Sequence, residues 1–543
     1  MPTTVRSKLL RSKRENRTKG KSFPDIQTPV RERILRTCLI LFCLLAVLIR
    51  TVKFGSVPGG MNQDGAMAAV DAAALAKYGT DRLGMKLPVH LTAWGFGQMS
   101  ALMSYLMVPF IALFGLSAIS ARLPSLLVSL MGLAALYGFA RKGYGRTFAL
   151  VILFLGAINP WHILQSRWAL DCNLFPHFLM LGLYLLLRGT EKKKLLFLSA
   201  AAFGLSMYCY GISVYTVPVL LAAAFIYLYR GKLITVRDGL LYAGIYLLIA
   251  WPFLLCMILN FLGLETIETP LFTIPYFPDS LRSGDILFFS EHPFRQLISN
   301  LQSTFRILLQ RYGWSVCNEI NGFGTMYVFS VPFMAIGAVS LFRRFRRDTA
   351  AGLTCLLFLT GFLDGLITAN VNINRINLIF YALLLFTGAG IETALKAVRK
   401  SSAALHGVLG SGIAVLYLTG FVLFTKAYFT SYADLVSETF MADFGEAMAA
   451  VKEAESDGFY ITPDAQYKGY WYVSEVLTLF YHDIDAEFYQ SAAFAEQYHF
   501  VNPEKGSLQK DAVYVTTTEY ADVFEGEPFT VTRYGRFLTA VPE

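Results

Sequence analysis

A carboxylate in the segment MNQDGAMAAVDAAALAKYG is the first side chain whose position could support chemistry. Asp64 starts a helix-like run about a dozen residues after an apolar segment long enough to cross a membrane. There its carboxylate could act as a general base that takes a proton from an acceptor hydroxyl. Asp is also a preferred N-cap residue, so Asp64 could instead simply cap that helix. Asp71, on the same face, is expected to be a solvated companion.

A second candidate pair lies in INPWHILQSRWALDCNLF, between the end of one apolar run and the start of the next. Arg167 and Asp171 are four residues apart, so on a helix they would share a face and could form an ion pair. Such a pair could be purely structural. Alternatively, the planar guanidinium of Arg167 could bind a phosphate, with Asp171 orienting it.

Three further cations lie in segments expected on the outer face, and no soluble-enzyme motif such as a P-loop or HExxH is present. Arg375 lies among three Asn residues in TANVNINRINLIF, Lys86 in GMKLPVH and Arg295 in SEHPFRQ. Each could bind an anion or serve as a snorkelling anchor at the membrane border. His90 shows no metal-ligand spacing; it is a candidate for substrate binding through hydrogen bonds or for a place in the membrane interface.

The elements that must position these residues are membrane helices. Of the 543 residues, 55% are hydrophobic and only 16% are charged, whereas soluble proteins carry about 25% charged residues. This composition excludes an ordinary soluble enzyme and a disordered chain. Eleven apolar runs can form transmembrane helices, at 34–52, 121–140, 147–164, 172–187, 195–209, 213–229, 239–263, 325–342, 350–368, 376–395 and 404–425.

The distribution of charge predicts how these helices are oriented. Lys and Arg are concentrated in the N-terminal segment and in RKGYGR, RGTEKKK, RGKLITVR, RRFRRD and KAVRK, which start at 141, 188, 230, 343 and 396. Short cytoplasmic loops are enriched in Lys and Arg. All six clusters share the cytoplasmic side if the run 98–115, interrupted by Pro109, lies in the interface and does not span. The loops 53–120 and 264–324 would then be outside, with the C-terminus.

The chain divides into three regions. Residues 1–31 form a basic extension, expected to be disordered and cytoplasmic, 32–430 form the transmembrane domain, and 431–543 form an acidic outer domain. The formal charge is +23 for residues 1–430 and −14 for 431–543, so the net +9 reflects membrane topology and does not indicate nucleic-acid binding. In the acidic domain, EAMAAVKEAES predicts a helix. GFYIT, VLTLFYH, AVYVTT, FTVTRY and RFLTAV predict strands of a small α/β domain.

Several segments in a fixed order carry a family resemblance. They are the loop Asp64, Lys86-Leu-Pro, FGLSAISARLPSLL at 114, NPWHILQSRWALD at 159, YLLLRG at 184, INGFGTMYVFSVPF at 320 and the Arg375 segment. Together they resemble the C-type (GT-C) membrane glycosyltransferases, in particular the family 39-like proteins that include protein O-mannosyltransferases and lipid A aminoarabinose transferases. The resemblance covers residues 32–430 and implies a GT-C-type helical membrane fold.

The resemblance implies transfer of a sugar from a polyprenyl-phosphate donor to an acceptor on the extracytoplasmic face, usually with inversion, and favours the bacterial plasma membrane. Asp64 would be the base, Lys86, Arg167 and Arg375 would surround the donor phosphate, and Asp171 would organise that pocket. The acceptor could be a protein, a glycolipid or a cell-wall polymer. Whether a divalent cation assists the reaction stays open. Relatives commonly carry Glu after the loop Asp, where this chain has Gly65.

Two other function classes fit parts of the pattern. A transporter or lipid flippase would also need many spans, but transporters tend to show internal repeats and charges near the midplane. Here the charged candidates gather toward one face, and no repeat is evident. A non-catalytic scaffold or sensor that binds a partner through its acidic outer domain would be consistent with Gly65.

Overall fold

The computed structural model describes residues 28–93, 97–278, 287, 291–309, 316–465 and 471–543. The predicted extension 1–31 therefore lies almost wholly outside the described residues. Within them the chain forms a bundle of membrane helices, a layer of short elements at one end of the bundle, and a small α/β domain on that layer.

The helices of the bundle and its layer mostly overlap the apolar runs found in the sequence, whereas those at Gln63–Tyr78 and Pro293–Leu309 lie in the two large loops. In chain order they are α1 (Thr28–Thr51), α2 (Gln63–Tyr78), α3 (Leu102–Phe114), α4 (Ala118–Tyr144), α5 (Arg146–Ala157), α6 (Pro160–Gln165), α7 (Phe175–Gly189), α8 (Lys194–Ser206), α9 (Ser213–Arg230), α10 (Val236–Leu262), α11 (Pro293–Leu309), α12 (Val331–Arg344), α13 (Thr349–Ile367), α14 (Ile379–Ser401) and α15 (Ala403–Tyr428). Each of the eleven predicted runs overlaps one of these helices, and eight of the described helices are long and apolar enough to cross a membrane. The predicted polytopic helical fold is confirmed.

Three of the predicted spans are shorter than expected: the run 147–164 contains the 12-residue α5, the run 195–209 the 13-residue α8 and the run 325–342 the 14-residue α12. The run 147–164 is split because α5 ends at Ala157 and α6 starts at Pro160. The side-chain oxygen of Asn159 accepts a hydrogen bond from the His162 N–H (3.0 Å), which caps α6. Proline suits the first position of a helix, where its missing N–H costs nothing. The break changes the direction of the chain, which then continues into the segment that carries Arg167.

Contacts between helix ends place the basic clusters together at one end of the bundle, called here the basic end. The pairs that join the helices there are Glu32–Arg146, Lys142–Glu191, Lys193–Asp238 and Tyr227–Phe345. The opposite end, the loop end, carries the segment 53–120 and the C-terminal domain. This separation is the one that the charge distribution predicts.

The layer at the loop end is built from α2, a hairpin and α3. Strands β1 (His90–Ala93) and β2 (Gly97–Ser100) are antiparallel, and α3 follows directly and packs against α2. The second loop adds a short hairpin of β3 (Ile267–Glu268) and β4 (Thr273–Ile274). Only 13 residues of the run 98–115 are helical in α3, which is too short for a span of about 20 residues.

The C-terminal domain is α/β, as predicted. Its helices are α16 (Ser431–Thr439), α17 (Ala442–Ala450), α18 (Trp471–Tyr481), α19 (Ala486–Tyr489) and α20 (Ala492–Gln497), and its strands are β5 (Gly458–Ile461), β6 (Tyr498–His499), β7 (Ala512–Thr517), β8 (Phe529–Tyr534) and β9 (Phe537–Pro542). The sheet order is β6-β5-β7-β9-β8, with β5 parallel to β6 and β7, and β9 antiparallel to β7 and β8.

The strand prediction for VLTLFYH is wrong. This run lies mostly within α18, where Val473, Leu477 and Phe480 are buried at helical spacing. The other four predicted strands are observed as β5, β7, β8 and β9. An apolar run of seven residues does not by itself separate a buried helix from a strand, and here packing of α18 against α2 decides.

The C-terminal domain is docked on α2 and its flanking turns. The Met61 N–H donates to the Phe440 carbonyl (3.0 Å). At the other end of α2, Lys77 pairs with Asp485 (2.6 Å) and the Tyr78 hydroxyl donates to the same carboxylate (2.8 Å). The domain and the helix that carries Asp64 are therefore held in contact at both ends.

We expect Arg122→Gln to lower the thermal unfolding midpoint by several degrees. The Arg122 side chain is fully buried and donates to the carbonyls of Gly55, Pro58 and Gly60 (3.1, 2.8 and 2.5 Å), so it fixes the turn that leads into α2. Losing these charge-assisted bonds should cost about 3 kcal/mol. The matched control is Arg146→Gln, which removes only the exposed pair with Glu32 at the basic end. Equal unfolding midpoints for the two variants would contradict this role.

Candidate functional site

The first turn of α2 carries Asp64. Asn62, and not Asp64, occupies the N-cap position, with φ −70° and ψ 146°. The alternative that Asp64 caps the helix is therefore wrong. Asp64 is the second residue of the helix and is half-buried, at the end where a helix favours negative charge.

The position of Asp64 is fixed by close packing at Gly65. A Cβ on Gly65 would lie 2.8 Å from the Ala169 carbonyl oxygen and 2.7 Å from Asn62 Oδ1. Asn62 in turn donates from Nδ2 to the Ala169 carbonyl (2.9 Å). The start of α2 thus lies directly against the segment 168–171. The geometry gives the reason for Gly65, because no larger side chain fits between these atoms.

Asp64 opens into a cavity of about 460 Å³ between the bundle and the C-terminal domain. Its walls come from the start of α2, the segment after α6, the turn before α14, and the C-terminal domain. The lining residues are Asn62, Gln63, Asp64, Trp168, Leu170, Cys317, Asn374, Leu435, Glu438, Thr439, Phe440, Met441 and Arg536. Such a space has the size of a small-molecule binding site.

Three polar groups on the cavity wall have no hydrogen-bond partner among the described residues, and one of them is Oδ1 of Asn62. The other two are the indole N–H of Trp168, a residue only 5% exposed, and Oδ1 of Asn374. Buried polar groups normally find a partner. An indole donor and an amide acceptor beside a carboxylate match the hydroxyl groups of a sugar or an acceptor.

Asp171 and Arg375 are the sequence neighbours of two residues in the cavity wall, Leu170 and Asn374. Asp171 follows Leu170 in the wall, and its carboxylate accepts from the backbone N–H groups of Cys172 (2.6 Å) and Ser100 (3.3 Å). Arg375 follows Asn374, is half-buried, and donates to the Ala369 carbonyl. The structure therefore brings Asp64, Asp171 and Arg375 to one region at the loop end.

Arg167 has a different environment from the one expected. Its segment is not helical, so it is not one helical turn from Asp171, and the predicted ion pair between them is wrong. The Arg167 guanidinium is fully buried and donates to the carbonyls of Ile49, Val52 and Val57 (2.9, 2.7 and 2.9 Å) and to the Tyr428 hydroxyl (2.8 Å). These contacts join the end of α1 to the end of α15 and give no support to phosphate binding by Arg167.

The other predicted substrate-binding residues lie outside the cavity wall. Lys86 is exposed and donates to the Pro270 carbonyl (2.7 Å), which ties the first loop to the second. Arg295 is exposed on α11. His90 is buried beside the rings of Phe253 and Phe277, at centroid distances of 5.7 and 6.0 Å. Their roles in substrate binding stay predictions.

Asp71 is not a solvated companion of Asp64. It is fully buried, one side of an ion pair with the buried Arg82 (2.7 Å), which also donates to the Thr92 carbonyl. Burial raises the pKa of Asp71, although Arg82 opposes this. Burial and the nearby Asp71 raise the pKa of Asp81 to about 7. These groups fasten α2 to the hairpin beneath it.

Sequence reasoning missed the contribution of the C-terminal domain to the cavity. Arg536 is held by Asp443 (2.7 Å) and donates to the Glu438 carbonyl (2.9 Å), which places both Arg536 and Glu438 in the wall opposite Asp64. No local motif marks these residues. They are hundreds of residues from Asp64 in the sequence, and the docking of the C-terminal domain on α2 brings them to the cavity. Across the described residues, no group of three or more His, Cys, Asp or Glu side chains could hold a metal ion.

Comparison with known proteins agrees with this architecture. Residues 99–256 match the family model described as dolichyl-phosphate-mannose-protein mannosyltransferase. ArnT from Cupriavidus metallidurans in the apo state is similar over 93% of this chain and 98% of its own, with a TM-score of 0.55 and 14% identity. ArnT bound to undecaprenyl phosphate is similar over 92% of this chain and 97% of its own, with a TM-score of 0.54 and 14% identity.

A third solved structure is the archaeal oligosaccharyltransferase AglB from Archaeoglobus fulgidus in complex with an inhibitory peptide and a dolichol-phosphate. It is similar over 82% of this chain and 64% of its own, with a TM-score of 0.53 and 12% identity. No protein of curated function matches by sequence. The predicted fold is confirmed, and the family-model match over residues 99–256 agrees with the predicted resemblance to protein mannosyltransferases.

We expect Gly65→Ala to displace the start of α2 and to lower both the unfolding midpoint and any activity of the cavity. The added Cβ would meet backbone and amide oxygens at 2.7 and 2.8 Å, contacts that real Cβ atoms do not make. Gly244→Ala on α10 is the control, since nothing lies within 4 Å of that Cβ position. Thermal unfolding of both purified variants measures the effect. A Gly65→Ala protein as stable as the control would show that the packing is looser than described.

Proposed function

We propose that this chain is an integral-membrane glycosyltransferase that transfers a sugar from a polyprenyl-phosphate donor to an acceptor hydroxyl, with inversion. The observation that carries the proposal is the cavity of about 460 Å³ at the loop end, which Asp64 lines. The fold likeness to ArnT bound to undecaprenyl phosphate supports a lipid-linked donor.

Asp64 is the general base of the proposed reaction. The acceptor oxygen attacks the anomeric carbon of the donor sugar while the bond from that carbon to the phosphate oxygen breaks. The hydroxyl proton passes to the Asp64 carboxylate, and the electron pair of the broken bond leaves with the polyprenyl phosphate. A half-buried carboxylate at the wall of the cavity is placed for this proton transfer.

Arg375 is the cation proposed to stabilise the departing phosphate. It follows the cavity-lining Asn374 in the turn between α13 and α14. Preplaced positive charge near developing negative charge lowers the barrier of such a transfer. Asp171, anchored by two backbone N–H groups, organises the wall between Arg375 and Asp64.

The C-terminal domain supplies the side of the cavity proposed to receive the acceptor. Glu438, Thr439 and Arg536 line the cavity from that domain, opposite the bundle. A protein, a glycolipid or a cell-wall polymer reaching the loop end would contact this wall first. The AglB structure contains an inhibitory peptide together with a dolichol-phosphate, which is consistent with two substrates meeting in this fold.

The proposed setting is the bacterial plasma membrane, with the basic end of the bundle in the cytoplasm and the loop end outside. The charge distribution supports this orientation. In the same arrangement residues 1–31 are cytoplasmic, 32–430 form the catalytic membrane domain, and 431–543 form the outer domain. A transporter or flippase is not favoured, because the candidate residues gather around one cavity at one end.

Asp64→Asn is expected to lower sugar transfer by about 10²- to 10⁴-fold, because the amide keeps the size of the side chain but cannot accept the proton. The measurement is transfer of labelled sugar from cell-derived polyprenyl-phosphate sugars by the purified protein in lipid vesicles. The matched control is Asp434→Asn, which changes an exposed carboxylate of α16 outside the cavity wall. Donor binding and the unfolding midpoint should be unchanged in both variants. Equal transfer by wild type and Asp64→Asn would remove Asp64 from the reaction.

A further inference from the structure

A second cavity lies at the basic end, far from Asp64. It has a volume of about 480 Å³ and is formed by α4 and α7. The residues that line it are Ala134, Tyr137, Gly138, Arg141, Lys142, Tyr184 and Arg188. Three cations and two phenol groups therefore share one small space, and the reaction proposed above uses none of them.

Helix geometry explains why these side chains converge. One face of α4 carries Ala134, Gly138 and Arg141, because their spacings are four and three residues. One face of α7 carries Tyr184 and Arg188, which are four residues apart. A Cβ on Gly138 would lie 2.7 Å from the Tyr184 ring, so the two helices touch there. The small residues leave a notch, and the long cations surround it.

The cations in this cavity are only partly compensated. Lys142 pairs with the exposed Glu191, but among the described residues neither Arg141 nor Arg188 has a carboxylate in ion-pair contact. Arg188 donates to the Tyr184 hydroxyl at 3.4 Å, and the Tyr137 hydroxyl is buried without a hydrogen-bond partner in the described chain. Two guanidinium groups and a spare hydroxyl form a set of donors suited to phosphate oxygens.

The depth of the cavity points to a lipid. Arg141 lies nineteen residues after Arg122 on α4, which corresponds to about 28 Å of helix. Arg122 is at the loop end, so Arg141 lies at the head-group level of the opposite leaflet, given a hydrocarbon thickness of about 30 Å. Ala134, about two turns deeper, is exposed on the bundle surface, so the notch is open toward acyl chains.

We propose that this cavity binds the phosphate head group of an anionic phospholipid from the leaflet at the basic end. The guanidinium groups of Arg141 and Arg188 hold the phosphate oxygens, the Tyr137 hydroxyl donates to the same group, and an acyl chain runs along the exposed surface at Ala134. Basic pockets between membrane helices are suited to such head groups. The occupant is a lipid and not free phosphate, because the notch is continuous with the lipid-facing surface.

Native mass spectrometry of the purified full-length protein, titrated with phosphatidylglycerol, tests this site. The double variant Arg141→Gln/Arg188→Gln should bind the first phosphatidylglycerol about tenfold more weakly than wild type. The control Arg230→Gln/Arg237→Gln removes the same charge from exposed positions at the same end outside the cavity and should stay within twofold. Phosphatidylcholine should bind weakly and equally to all three proteins.

Several outcomes would overturn the proposal. One is equal phosphatidylglycerol affinity in the wild type and in Arg141→Gln/Arg188→Gln. Another is a wild-type protein that binds phosphatidylcholine as tightly as phosphatidylglycerol. Inorganic phosphate that displaces the lipid at millimolar concentration would identify a free anion as the occupant. Should the double variant unfold, Tyr137→Phe replaces it: this change removes one hydroxyl and should weaken phosphatidylglycerol binding two- to fivefold, and unchanged binding would contradict the site.

Discussion

Backbone carbonyls at helix ends near lipid need hydrogen-bond donors, and three buried arginines supply them at the loop end of this bundle. Arg50 donates to the carbonyls of Gly156 and Ala157 at the end of α5. Arg167 donates to carbonyls at and beyond the end of α1. Arg122 donates to a carbonyl in the turn before α2. Each guanidinium joins segments that are far apart in the sequence. The cavity around Asp64 exists because these turns are held in fixed positions.

The need of these carbonyls for donors distinguishes two kinds of charged residue that look alike in the sequence. Arg167 directs its donors to carbonyls and to Tyr428, so its charge stabilises the fold. Arg375 follows the cavity-lining Asn374, and its proposed role is to act on the donor phosphate. The two carboxylates Asp71 and Asp64 differ in the same respect. Asp71 is fully buried in an ion pair with Arg82, whereas Asp64 lines the cavity.

The helical membrane fold could be predicted from the sequence because long apolar runs mark membrane helices directly, although only eight of the described helices are long enough to cross a membrane. The strands of the C-terminal domain were also predictable, except VLTLFYH, whose helical state depends on packing against α2. The site was only partly predictable. Asp64 follows from its place after the first span, but Arg536 and Trp168 reach the cavity through contacts between distant segments, and no local pattern carries that information. Gly65 becomes understandable only when the Ala169 carbonyl is seen against it.

The most direct test of this account is a cryo-electron microscopy map of the protein in lipid nanodiscs with added polyprenyl phosphate. The account predicts phosphate density beside Arg375 at the cavity that contains Asp64, with the lipid chain leaving toward the membrane. Phosphate density at any other place, with the Asp64 cavity unchanged by the lipid, would contradict the central claim that donor and base meet there.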